Sequence, residues 1–149
     1  MRPTPLRRAL VVGTIAASAT AGALVGFGLR QGTPLRPFNA VARLLLGARA
    51  DGVWGFDPVV TLMGVLLHVT VILAWGFLCV GLAGARRGVP AFATAVGVTL
   101  AALAVDLFVI ERGLHAGLSG VLSPGQEVAL HLVLLVALAL GMRFASPPV

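Results

Sequence analysis

Residues 58–82, PVVTLMGVLLHVTVILAWGFLCVGL, contain no Asp, Glu, Lys or Arg. A helix crosses the hydrocarbon of a bilayer with about 20 mostly apolar residues, and this run exceeds that length. Asp57 places a capping side chain before it, and Pro58 suits a first helical position. The run reads as a membrane-spanning helix.

Three further segments share its character, at about 9–29, 90–110 and 124–144. Pro90 opens the third span after the loop at 84–89, and Gly113 suits its stop. Ser123-Pro124-Gly125-Gln126 forms a capping-box pattern before the fourth. Composition agrees: the 149 residues are 58% hydrophobic and 11% charged, with a mean hydropathy of +1.02. Ordinary soluble domains carry about 45–50% apolar and roughly 25% charged residues, and small folds leave much apolar surface uncovered. A soluble enzyme, a soluble nucleic-acid binder and a disordered chain are excluded. The expected fold is all-α and integral to a membrane: a four-transmembrane-helix bundle forming a single domain over residues 1–149.

The first span has a competing reading. Arg2, Arg7 and Arg8 before an apolar run, with Ala19-Thr20-Ala21 as a small-residue cleavage site, resemble a signal peptide. The apolar stretch continues through Leu24, Val25, Phe27 and Leu29, which is long for such a segment and favours an uncleaved span.

All eleven basic residues are arginine and the formal net charge is +6. The arginines fall between apolar runs, where they report topology and headgroup contact rather than nucleic acid. With the N-terminus inside, Arg2, Arg7, Arg8, Arg86, Arg87 and Arg143 lie in short cytoplasmic flanks, against Arg30, Arg36, Arg43, Arg49 and Arg112 outside. Asp51, Asp57, Glu111 and Glu127 fall on the outer side. Both termini are expected in the cytoplasm of a bacterial cell, the inner membrane being the expected location; the Arg/Ala/Gly/Leu/Val bias suits a GC-rich genome. Cys79 is the one cysteine and there is no Tyr, so no intramolecular disulfide, CxxC redox pair or tyrosyl chemistry is available.

Between the first two spans, residues 38–49 have helical periodicity. Phe38, Val41, Leu45 and Ala48 make one stripe, with Asn39, Arg43 and Arg49 off it. The segment is too short to cross a bilayer and reads as an amphipathic helix in the interface or folded over the bundle mouth. Trp54 and Phe56 then return to headgroup depth, where aromatic rings are favoured. Small residues at four-residue spacing, Thr14, Ser18, Gly22 and Gly26 on span one and Ala93, Gly97 and Ala101 on span three, predict close helix packing within the bundle; packing between protomers is the other reading.

Ionisable groups inside spans are costly and mark candidate sites. There are three, His68, Asp106 and His131. At about 1.5 Å rise per residue, Asp106 and His131 lie at one level, roughly 6–10 Å below the outer boundary, and His68 about 15 Å down. Ala95, Thr99, Ala102 and Asp106 share one face, as do Thr61, Gly64, His68 and Trp75. Glu127 precedes His131 by one turn and completes a candidate buried polar cluster of His68, Asp106, His131 and Glu127. Asp106–His131 or Glu127–His131 pairing would relieve the cost of burial. The functional alternatives are haem b held by His68 and His131, with Arg112 or Arg49 near its propionates, and a proton or ion path through His68, Asp106 and His131. A metal site lacks an evident fourth ligand. His115 reads as an exposed loop residue. Ser18, Ser119 and Ser123 make no nucleophile–base set, and no phosphate-binding loop is present. The chain does not read as an enzyme.

The segments Phe38-Asn39-Ala40 through Leu46-Gly47, Leu62-Met63-Gly64-Val65-Leu66-Leu67-His68, and Ala129-Leu130-His131 before Arg143 together resemble a loose group of uncharacterised four-helix bacterial inner-membrane proteins. The resemblance covers most of residues 34–143 and implies a compact bundle with a histidine on its second and fourth spans. It brings no activity. The exit Val109-Ile110-Glu111-Arg112 departs from the Pro-containing end of that group. Small size, little extramembrane mass and no catalytic set lead to the expectation of a non-catalytic accessory or assembly subunit. Its expected partners are the lipid bilayer and other membrane subunits or a second copy, and no cofactor is required. The alternative is the haem or ion site just described.

Overall fold

In the computed structural model, residues 4–84, 86, 88–114, 117–118 and 120–145 are described, and all their regular structure is helical. Helix α1 is Pro5–Arg30, α2 is Arg36–Leu46, α3 is Pro58–Ala83 and α5 is Pro124–Phe144. Between the last two lies α4, which begins as Val89–Ala104, widens into a π-helical stretch over Val105–Glu111, and ends in the α turn Arg112–Leu114. Four of the five (α1, α3, α4 and α5) are long and apolar enough to cross a membrane.

The caps come from local chemistry. Asp57 accepts from the amides of Val59 and Val60 at 2.9 and 2.8 Å, satisfying donors that the first turn leaves free. Ser123 and Gln126 form the full reciprocal box. Thr4 caps α1 and starts it four residues earlier than the apolar run suggests. Gly88, with φ of 64°, takes the turn into α4 at a conformation that other residues avoid. Gly113 does not stop α4, since the turn Arg112–Leu114 carries it past 110.

Helix α1 packs between α3 and α5, while α4 closes the opposite side against the same two helices. Close backbone approach sets these contacts. A Cβ at Gly76 would lie 2.6 Å from the Cα of Gly13, and one at Gly141 would lie 2.9 Å from that of Val12. Ala9, Val12, Ala16, Cys79, Val98, Ala102, Leu134 and Leu138 fill the space around these crossings.

The small-residue stripes expected to pack inside the molecule do not. Thr14, Ser18, Gly22 and Gly26 are all exposed, as are Ala93, Gly97 and Ala101, and a Cβ at Gly22, Gly26 or Gly97 would meet open space. The glycines that do pack are spaced across three different helices, so no single-helix pattern announces them.

Helix α2 lies over α3, where a Cβ at Gly64 would fall onto the Phe38 carbonyl. It occupies 36–46 rather than 38–49, residues 47–50 forming a 3-10 turn. Its buried face is Pro37, Phe38, Asn39, Ala40 and Ala42, while Leu45 is 61% exposed. The expected stripe is therefore rotated. Asn39 is the cause: its amide donates to the carbonyls of Val53 and Gly55 at 3.0 and 2.9 Å, and its carbonyl accepts from Thr61 at 2.8 Å. A polar side chain so fully satisfied can face inward. Trp54 and Phe56 remain exposed, with Arg36 3.7 Å from the Trp54 ring centre.

Candidate functional site

The backbone crossings at Gly13–Gly76 and Val12–Gly141 are tight, and a cavity of about 420 Å³ opens beside Asp106. Thr20 of α1, His68 and Trp75 of α3, Asp106 of α4 and His131 of α5 all line it, with Val41 and Leu44 of α2 at one side. The three ionisable groups singled out in the spans thus share one space. Most of the remaining lining is aliphatic: Val71, Ile72, Leu78, Val105, Leu130 and Leu134 are examples. Val71, Leu78 and Val105 are also 41%, 43% and 38% exposed, so the cavity opens sideways between α3 and α4.

His68 is 7% exposed and fixed by α1 and α2. The Thr20 hydroxyl lies 2.8 Å from the Ala16 carbonyl, where its single proton is spent. It therefore accepts from Nε2–H of His68 at 3.1 Å, which leaves the lone pair of the neutral ring on Nδ1. Phe38 meets the ring edge-on, centroids 5.7 Å apart.

His131 has the opposite tautomer. Its Nδ1 is 2.9 Å from the Glu127 carbonyl, an obligatory acceptor, so in the neutral ring the lone pair sits on Nε2. The expected Glu127–His131 contact exists through the Glu127 backbone. The Glu127 side chain instead pairs with Glu111, with Asp106 in electrostatic range. Asp106 lines the cavity with His131 and lies within electrostatic range of His131 and Glu111. Glu127 is 8% exposed, and its Oε1 is buried without a hydrogen-bond partner.

The sequence reading named His68, Asp106, His131 and Glu127, with Trp75 on the His68 face, but missed Thr20 and Glu111 as members of this region. Thr20 stands on the α1 face of Ala9, Val12, Gly13, Ala16 and Leu24, so its inward position follows from the small buried residues at three- and four-residue spacing. Glu111 is brought toward Glu127 by the π-helical stretch, which carries hydrogen bonds from i to i+5 and shifts the faces after Asp106. His115, Ser119, Arg2 and Arg87 lie outside the described residues.

For a metal or haem iron, His68 would have to release Thr20 to present Nε2. Among the described residues, no group of three or more His, Cys, Asp or Glu is arranged to hold a metal ion. Arg112 lies over the Phe108 ring at 4.9 Å and Arg49 is exposed; neither lines the cavity. Among the described residues, the space offers apolar walls, two imidazole lone pairs and a carboxyl.

Comparison with protein-family models, with curated proteins and with solved structures finds no match to this chain.

Proposed function

We propose that this chain is a four-span protein of a bacterial inner membrane that takes a small lipid-soluble molecule from the bilayer and holds it by its polar end. The observation that carries this reading is the convergence of His68, Asp106 and His131, from three helices, on one laterally open cavity with aliphatic walls. Binding pockets for small molecules are typically about 300–1,000 Å³, mainly apolar, with a few placed polar groups. Binding, rather than catalysis, is the proposed activity. Orientation follows the arginines: Arg7, Arg8, Arg86 and Arg143 flank one end, where Arg8 donates to the Gly84 carbonyl at 2.9 Å. In the sequence, six arginines (Arg2, Arg7, Arg8, Arg86, Arg87 and Arg143) fall in short flanks on that side against five on the other, which favours termini in the cytoplasm.

Native mass spectrometry of the protein released from mild detergent tests the reading. The wild-type chain should carry a bound small molecule, and Ala74→Phe, at the mouth of the cavity, should reduce its occupancy at least tenfold. A bare wild-type chain, or unchanged occupancy in the variant, would overturn it.

A second reading, a subunit of a larger membrane assembly, is favoured by the outward position of Thr14, Ser18, Gly22 and Gly26, since small residues let neighbouring helices approach. The same spectra decide it: foreign chains in the particle would support it, and a lone chain of 15.2 kDa would not.

A further inference from the structure

We infer that the occupant of this cavity is an uncharged lipophile bearing a hydroxyl, which donates to His68 while its apolar body lies along α3 toward Leu78. The inference rests on the binding reading above and adds the group by which the molecule is held.

His68 carries the open position. Its partners on α1 are both acceptors: the Thr20 hydroxyl, whose proton goes to the Ala16 carbonyl, and the Ala17 carbonyl. A neutral imidazole has one N–H and one lone pair. The N–H serves α1, and the lone pair on Nδ1 has no donor among the described residues. Yet the side chain is only 7% exposed and lines the cavity. A buried acceptor without a donor costs free energy, and a ligand that supplies the proton removes that cost. Asp106 and His131 differ, because each has the other within electrostatic range. Of the three ionisable groups on the wall, His68 is the one left to the occupant.

The surroundings of His68 select the molecule that carries the hydroxyl. His68 is the first residue of α3 to line the cavity and Leu78 the last, ten residues and so about 15 Å of helix apart. Between them stand Val71, Ile72, Ala74 and Trp75, apolar but for the indole N–H. A polar position at the head of an apolar run fits a molecule with one polar end. Among the described residues no arginine lines the space, and the Asp106 carboxyl already has His131 as its positive neighbour. Neither an anionic nor a cationic headgroup therefore finds an open counter-charge there. The opening between α3 and α4 passes exposed Val71, Leu78 and Val105, so an uncharged molecule enters from the hydrocarbon without crossing the polar ends of the helices.

The test uses the full chain in mild detergent in a Trp54→Phe background, which leaves Trp75 as the only tryptophan. The probes are 4-bromophenol and 4-bromoanisole, heavy-atom quenchers of similar shape that differ in the hydroxyl proton. Saturable quenching of Trp75 by the phenol is expected, with the ether binding about fivefold more weakly, the scale of one hydrogen bond. His68→Leu should erase that preference and leave binding of the ether unchanged. A second readout needs no change at His68. In the ¹⁵N-histidine-labelled chain carrying His115→Gln, the bare Nδ1 of His68 is told from the bare Nε2 of His131 by its couplings to the ring protons. Its resonance should move toward the protonated position with the phenol and stay with the ether. Equal binding of the two probes, as when water already satisfies His68, overturns the hydroxyl inference and leaves the cavity reading intact. A preference that survives His68→Leu, or an Nδ1 that the phenol does not move, does the same. If neither probe reaches Trp75 the hydroxyl inference is overturned, and the cavity reading falls with it when Ala74→Phe also leaves the native mass spectrum unchanged.

Discussion

Thr20 shows how one hydroxyl sets the state of a histidine across two helices. Because its proton goes to the Ala16 carbonyl, it can only accept from His68, and the tautomer follows. Thr20→Val removes this acceptor and leaves the ring only its backbone partner, the Ala17 carbonyl. We expect a loss of about 1 kcal/mol, in the range of side-chain hydrogen bonds between membrane helices, visible as a lower unfolding midpoint in detergent. Thr20→Ser should restore it. An unchanged midpoint in Thr20→Val would show that the bond contributes nothing. In the sequence, His68, Asp106 and His131 are legible because a titratable group within an apolar run is rare and its depth can be counted. Thr20 is not legible in that way, since a lone threonine among alanines carries no sign of its partner 48 residues away. Asn39 was read as outward-facing for the same reason: its partners at 53, 55 and 61 come together only through the fold.

At the level of elements, the starts of α3 and α5 were written in the chain and the packing faces were not. Asp57-Pro58 and Ser123-Pro124 act locally, within one turn, so their reading survives any tertiary arrangement. Packing depends instead on which helix stands opposite, and two regular stripes of small residues proved to face outward. Gly13, Gly76 and Gly141 do the packing. Cys79, fully buried one turn from Gly76, reports on that contact. Gly76→Leu should force α1 and α3 apart and convert Cys79 from unreactive to rapidly modified by a membrane-permeant maleimide. Gly22→Leu should leave the thiol protected, because its side chain meets nothing within the molecule. Equal reactivity in the two variants would refute the assignment of packing faces. The π-helical stretch of α4 was also invisible beforehand, as Val105–Glu111 has the composition of an ordinary span.

For the whole molecule, the apolar composition and the four long runs determined the class, and the proposed direction rests on the short arginine-bearing flanks. In a Cys79→Ala background, Arg86→Cys should react with an impermeant thiol reagent only after the cells are opened. Ser123→Cys should react in intact spheroplasts. The reverse pattern would invert the proposed topology and place the cavity in the cytoplasmic leaflet. The distribution of close contacts has a mechanical consequence. Backbones already touch at Gly13–Gly76 and Val12–Gly141, and again where Gly64 meets Phe38, while the space between α3 and α4 beside Asp106 is open. In a bilayer, lateral pressure would therefore close the gap between α3 and α4 before it moved α1, which is already in backbone contact with both its neighbours. Tighter acyl packing beside that gap would narrow it, and looser packing would widen it.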